Sequence, residues 1–186
     1  ANTNVLLLSY TNRAVDEICS KLVEEGIDFI RLGSDYSCEK AYRPYLLSER
    51  INQMEHPNKQ LVINLIKQTR VFCGTTTALS AALPLFELKQ FSLAIIDEAS
   101  QILEPHLLPL LCATHNDECA IKRFVLIGDE KQLPAVVQQS AEESDVKDPQ
   151  LNAISLHNCR LSLFERLLDL YGFNEDGSRN EQVCHM

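Results

Sequence analysis

The chain has 186 residues, 45% hydrophobic and 23% charged, with 17 basic and 26 acidic side chains and a net charge of −9. That balance belongs to a folded domain and argues against a disordered, collagenous or coiled-coil chain, and no apolar run approaches the roughly 20 residues that span a bilayer. The negative charge argues against a protein that coats DNA by broad phosphate neutralisation, while leaving room for a narrow groove of hydroxyls and backbone N–H groups.

Ala1-Asn2-Thr3-Asn4 has neither an initiator Met nor the basic start of a secretory signal, so the chain reads as cut from a longer protein. The apolar run 5–8 predicts a buried strand. Behind it Val15, Ile18 and Leu22 recur at three and four, which predicts a helix from Asn12 to near Gly26. Residues 29–32 predict a second strand. Segments 46–54 and 59–68 predict two helices broken at His56-Pro57-Asn58, with the region 36–69 read as a helical insertion and a candidate stalk. Further strands are expected at 71–73, 91–96 and 124–127, with a short helix at 105–113. Apolar runs without alternation suit a parallel sheet covered on both faces, and their alternation with helices predicts an α/β fold. After a lobe spanning 1–137, the stretch 138–151 carries Glu142, Glu143, Asp145 and Asp148 against Lys147 and is expected to be a mobile loop. Ser162-Leu163-Phe164-Glu165 is a capping-box pattern that opens a closing helix within 152–172, and the polar tail 173–186 is expected to fray.

The seven cysteines include no C-x-x-C pair, which favours reduced intracellular thiols. Cys112, His115 and Cys119 come nearest to a metal cluster but lack a fourth ligand, and chance is the better reading of their spacing.

The chemistry concentrates at Phe91-Ser92-Leu93-Ala94-Ile95-Ile96-Asp97-Glu98, an apolar strand ending in two adjacent carboxylates. Open α/β sheets bind ligands at the carboxyl ends of their strands, so both acids would reach such a site. Asp97 could hold Mg²⁺, and Glu98 could orient or deprotonate a water. Alone, the pattern also fits a strand that has simply reached solvent. A second buried strand, Phe124-Val125-Leu126-Ile127, runs into Gly128-Asp129-Glu130-Lys131-Gln132-Leu133-Pro134, far enough along for a right-handed crossover.

Together, Asp97-Glu98-Ala99-Ser100-Gln101 and Gly128-Asp129-x-x-Gln132-Leu133-Pro134 resemble motifs II and III of superfamily 1 helicases, in the branch of senataxin and the nonsense-mediated-decay helicase. Upstream, Ser9-Tyr10-Thr11-Asn12 resembles motif Ia, and Gly74-Thr75-Thr76-Thr77 resembles the hydroxyl-rich motif before the acid pair. The resemblance implies a RecA-like P-loop NTPase lobe that uses ATP and Mg²⁺ and moves along single-stranded DNA or RNA. It implies Asp97 as magnesium carboxylate, Glu98 as catalytic acid, Gln132 as γ-phosphate sensor, Asp129 as brace of the sensor loop and Gln101 as support of the acid-pair turn. It implies Ser9, Thr11, Asn12, Thr75 and Thr76 as contacts to a sugar-phosphate backbone. The blander alternative is that Thr11 or Asn12 caps its helix and 75–77 form an ordinary turn.

None of the six glycines begins a G-x-x-x-x-G-K-[ST] phosphate loop, so the lobe is expected to be truncated just after that loop. The lost strand would leave an open sheet edge, inviting self-association, and the isolated piece is expected to be inactive. Glu130 and Ala135 stand where the family commonly has Pro. The rival reading is a nucleic-acid or protein-binding scaffold on a degenerate lobe; the Gln-Leu-Pro loop disfavours a kinase-like protein.

Overall fold

In the computed structural model, which describes residues 3–129, 131, 135–174, 178 and 180, the first apolar run forms β1 (Val5–Ser9), with Leu6 and Leu8 fully buried. The helix α1 (Asn12–Glu24) turns Val15, Cys19 and Leu22 to the core. Gly26, at φ 64°, donates to the Val23 carbonyl at 3.1 Å, and Ile27 donates to Leu22 at 2.9 Å. This is a Schellman ending, which a residue without Cβ adopts most easily.

After β2 (Phe29–Arg31) the chain makes two 3₁₀ turns, Asp35–Ser37 and Lys40–Tyr45. The second contains Pro44, and the extended Leu46 delays the predicted helix to α2 (Leu47–Asn52). Next come α3 (Lys59–Gln68) and β3 (Val71–Thr75). The segment expected as a stalk is anchored to the sheet: Tyr45 stacks on Phe29 at 4.4 Å, and the fully buried Leu46 bridges to Arg31. Two helices of five residues, α4 (Thr76–Ser80) and α5 (Pro84–Leu88), lead to β4 (Leu93–Ile96). They are too short to carry a readable period. Phe91, expected inside that strand, instead forms an isolated bridge to Ile121 and meets Phe72 and Phe86 edge-on.

A 3₁₀ turn (Ala99–Gln101) and α6 (Glu104–Leu111) follow, then the small antiparallel hairpin β5 (Thr114–His115) and β6 (Glu118–Cys119), and β7 (Phe124–Leu126). Within the acidic stretch Ser144 is buried and Cys159 donates to its carbonyl at 2.9 Å, an anchor that composition did not reveal. Asp148 then caps α7 (Pro149–Ala153). The capping box at Ser162 and Glu165 opens α8 (Leu163–Tyr171) as expected.

The main sheet has five strands in the order β2-β3-β1-β4-β7, every pair parallel. This is the parallel α/β sheet that the alternation predicts and the RecA-like arrangement that the resemblance implies. β1, β2 and β3 are largely buried, whereas Val125 of the edge strand β7 is 43% exposed. The chain divides into two compact units, Ala1–Asp97 with Leu108–Leu126, and Glu98–Leu107 with Ile127–Met186.

One tie in the first unit had no signal in the sequence. Arg31, fully buried on β2, lies 2.8 Å from the Asp16 carboxylate of α1 and donates through Nη2 to the Ser37 carbonyl at 3.1 Å. Asp16 also accepts from the Glu39 N–H at 3.2 Å. A buried charge is tolerated when it is paired in this way, and breaking such a pair costs more than forming it gains.

Gly26→Ala should destabilise the protein by about 1 kcal/mol, because a Cβ is strained in the left-handed conformation although no atom crowds it. Urea unfolding monitored by circular dichroism will read this as a lower midpoint at unchanged slope.

Candidate functional site

In the first unit the parallel register brings strand ends to one rim. Ser9 and Thr75 are register partners at the ends of β1 and β3. Asp97 follows Ile96, and its N–H donates to the Leu8 carbonyl at 2.8 Å, so the ladder continues to the first acid. The sheet thereby sets the backbone of Asp97, and its side chain is half-buried.

The residues expected at a nucleic-acid strand separate by exposure. Thr11 and Asn12, at the N-terminus of α1, are exposed. The Thr11 hydroxyl accepts from the Ala14 N–H at 3.2 Å. Thr75 is buried and caps α4 in the same manner, accepting from Ala78 at 3.1 Å. Thr76 is buried too, and the Ser9 hydroxyl is enclosed with no hydrogen-bond partner among the described residues. The capping roles are therefore real for Thr11 and Thr75. A cap uses the hydroxyl oxygen as acceptor and leaves its O–H free to donate elsewhere.

The second unit begins at the very next residue. Glu98 adopts φ 56° and ψ 33°, a left-handed conformation that is uncommon for a residue with a side chain. Gln101 donates its amide to the Glu98 carboxylate, and its backbone N–H donates to the Glu98 carbonyl at 3.0 Å. Gln101, the residue expected to support the acid-pair turn, thus bonds Glu98 through both side chain and backbone. Ala99 donates to the Ile127 carbonyl at 2.8 Å, and Gly128 packs so closely that a Cβ there would lie 2.9 Å from the Ser100 nitrogen. Only glycine permits that approach. Asp129 is exposed and accepts from the Lys131 N–H at 2.9 Å. Gln132, expected as the sensor, lies outside the described residues, as do Glu130, Leu133 and Pro134.

The six cysteines among the described residues are free thiols. His115, of the Cys112-His115-Cys119 set, has Nδ1 hydrogen-bonded to the Phe86 carbonyl at 2.8 Å.

A parallel five-stranded sheet whose β4 ends in consecutive acids, followed by a glycine-tightened loop after β7, defines a RecA-like lobe of the superfamily 1 helicase class. Comparison with known families agrees. The chain belongs to the AAA domain family, which matches residues 47–140. It is 36% identical over 138 residues to the DNA replication ATP-dependent helicase/nuclease DNA2 of Gallus gallus, covering 74% of this chain and 13% of that protein. It is equally 36% identical over 140 residues to the DNA replication ATP-dependent helicase/nuclease JHS1 of Arabidopsis thaliana, covering 74% of this chain and 9% of that protein. With the 5'-3' DNA helicase ZGRF1 of Mus musculus, identity is 31% over 210 aligned positions, covering 97% of this chain and 10% of that protein. The chain thus corresponds to a small part of the length of these relatives.

Gly128→Ala should force Ser100 and the loop after β7 apart and cost about 1–3 kcal/mol, the range for overpacking. Thermal unfolding will show a lowered midpoint, larger than that of an alanine placed at an exposed position.

Proposed function

We propose that this chain is part of the first motor lobe of an ATP-dependent superfamily 1 helicase that moves along single-stranded DNA. The observation that carries the reading is the acid pair: Asp97, whose backbone N–H continues the sheet ladder, followed at once by a left-handed Glu98 bonded by Gln101. The relatives are named as ATP-dependent or DNA helicases, which favours ATP as fuel and DNA over RNA as track. An intracellular setting accords with that substrate and with the free thiols. Among the described residues no helix is long and apolar enough to cross a membrane.

The donor set suits a hard cation. Mg²⁺ takes one or two carboxylates and completes its shell with water and phosphate oxygens, so a single half-buried acid such as Asp97, on a backbone set by the sheet, fits it. When bound, the ion would neutralise charge on the transferring phosphoryl group. Glu98 would accept a proton from the attacking water, or orient it. The Gln101 amide would limit the directions its carboxylate can take. Thr11 and Asn12 would offer hydroxyl and amide donors to a sugar-phosphate backbone at a helix N-terminus; Ser9, Thr75 and Thr76 would shape the strand ends beneath. Gln132 would report the γ-phosphate and Asp129 would stiffen its loop. The acids and their supporting amide count against a scaffold that has discarded its motor.

In a full-length protein carrying this chain and a phosphate loop, Glu98→Gln should lower ATP turnover by at least about 100-fold while nucleotide affinity changes only a few-fold. Unchanged turnover would refute the role given to Glu98. The isolated 186-residue chain, which has no G-x-x-x-x-G-K-[ST] sequence, should hydrolyse ATP at background rate.

The exposed β7 edge also supports self-pairing of the isolated chain. Light scattering after size exclusion should give more than the 21.0 kDa of one copy; a monomer at all concentrations would dismiss that pairing.

A further inference from the structure

Glu104, the first residue of α6, and Arg166, on α8, are both nearly buried and belong to the second unit. Arg166 Nε donates to one Glu104 carboxylate oxygen at 2.7 Å, and Nη2 donates to the other. Nη1 donates to the Ile154 carbonyl at 2.9 Å. A guanidinium that meets both oxygens of a carboxylate fixes orientation as well as distance, which a lysine cannot do.

This fork does not act alone. Leu103, just before Glu104, forms an antiparallel bridge with the fully buried Ser162, the N-cap of α8. The start of α8 therefore grips the segment behind the acid-pair turn by backbone and by ion pair at once. On the other side of the turn, Ala99 is tied to Ile127 and Ser100 lies against Gly128. Glu98, in its left-handed conformation, immediately precedes the first of these ties, and Gln101, which is bonded to its carboxylate, lies between the two. Such a conformation persists only where the surroundings over-determine it.

Stability alone gives little reason for the pair. Buried ion pairs can often be replaced by apolar side chains of similar volume at no loss, or with a gain. What an apolar pair cannot supply is a fixed orientation.

We propose that Glu104 and Arg166 are positioning residues for the Glu98 carboxylate, setting the 98–104 segment so that Glu98 and Gln101 keep their arrangement during ATP hydrolysis. The proposal rests on the reading of Glu98 as the group that prepares the attacking water. Displacements of about 1 Å from a remote residue can cost 100-fold in rate, so the pair need not touch nucleotide to matter.

The test uses the full-length protein with three variants: Arg166→Lys, which keeps the charge and loses the fork; the double replacement Glu104→Met with Arg166→Met, which keeps the volume; and Glu98→Gln as reference. The expected result is that Arg166→Lys and the double variant lower kcat about tenfold or more, with KM for ATP and affinity for a non-hydrolysable ATP analogue within about threefold. The double variant should unfold at or above the wild-type temperature. Wild-type kcat in both would overturn the proposal. So would a loss of kcat that tracks a fall in unfolding temperature and in analogue affinity, since that is the mark of a structural pair. If Glu98→Gln itself leaves turnover intact, the functional reading fails. If it abolishes turnover while the pair variants are fully active, only the positioning role fails.

Discussion

Two parallel strands cannot be joined by a tight turn; the chain has to return over a face of the sheet before it can pair again in the same direction. In the order β2-β3-β1-β4-β7 this constraint applies at every step, so all strands of the sheet finish at the same edge. The three adjacent strands β3, β1 and β4 bring Thr75, Ser9 and Asp97 to that edge from positions far apart in the chain. The helices that make the returns then begin there as well, which is why Thr75 is at once the last residue of β3 and a helix cap, and Thr11 caps α1 two residues beyond β1. A rim rich in N–H donors and hydroxyls, ending in a carboxylate, is a consequence of the topology before any chemistry is assigned to it.

Polar groups buried in pairs decide how that scaffold is held. Arg31 and Asp16 join β2 to α1 and to the turn that carries Ser37. Lys89 plays a different part: its ammonium donates to the carbonyls of Ile66, Lys67 and Thr69 and so closes the C-terminal end of α3. Burial, and next the nearby Arg70, pull the Lys89 pKa below the usual lysine value. The carbonyls work the other way, because unpaired groups at a helix end favour a cation. In the second unit the Glu104–Arg166 fork has the same character. Each of these ties links segments that hydrophobic packing would bring together without orienting them.

Much of the architecture was legible residue by residue. The runs around Leu6, Ile30, Phe72, Ile95 and Val125 read as strands because apolar side chains without alternation need cover on both faces, and all five appear in the sheet. The edge position of β7 was not legible, since Val125 looks as buried in sequence as Leu6 does. The helices α4 and α5 escaped because five residues make little more than one turn, too few to repeat a pattern. Ser144 lies within an acidic stretch, and its carbonyl is held by the distant turn at Cys159, a contact that its neighbours in the chain do not signal.

The amino-acid order by itself determined the fold class, the acid pair and its motif companions, and the capping box of α8, because each depends on residues within a turn or a strand of one another. The tertiary structure alone decided that Glu98 turns left-handed, that Gln101 bonds it, that Gly128 must lie against Ser100, and that Arg166 meets Glu104. Those features depend on which segments the folded chain brings within a few ångströms. Hydrophobic patterning specifies which faces are buried, but hydrogen-bond geometry between distant residues leaves no period in the sequence to read.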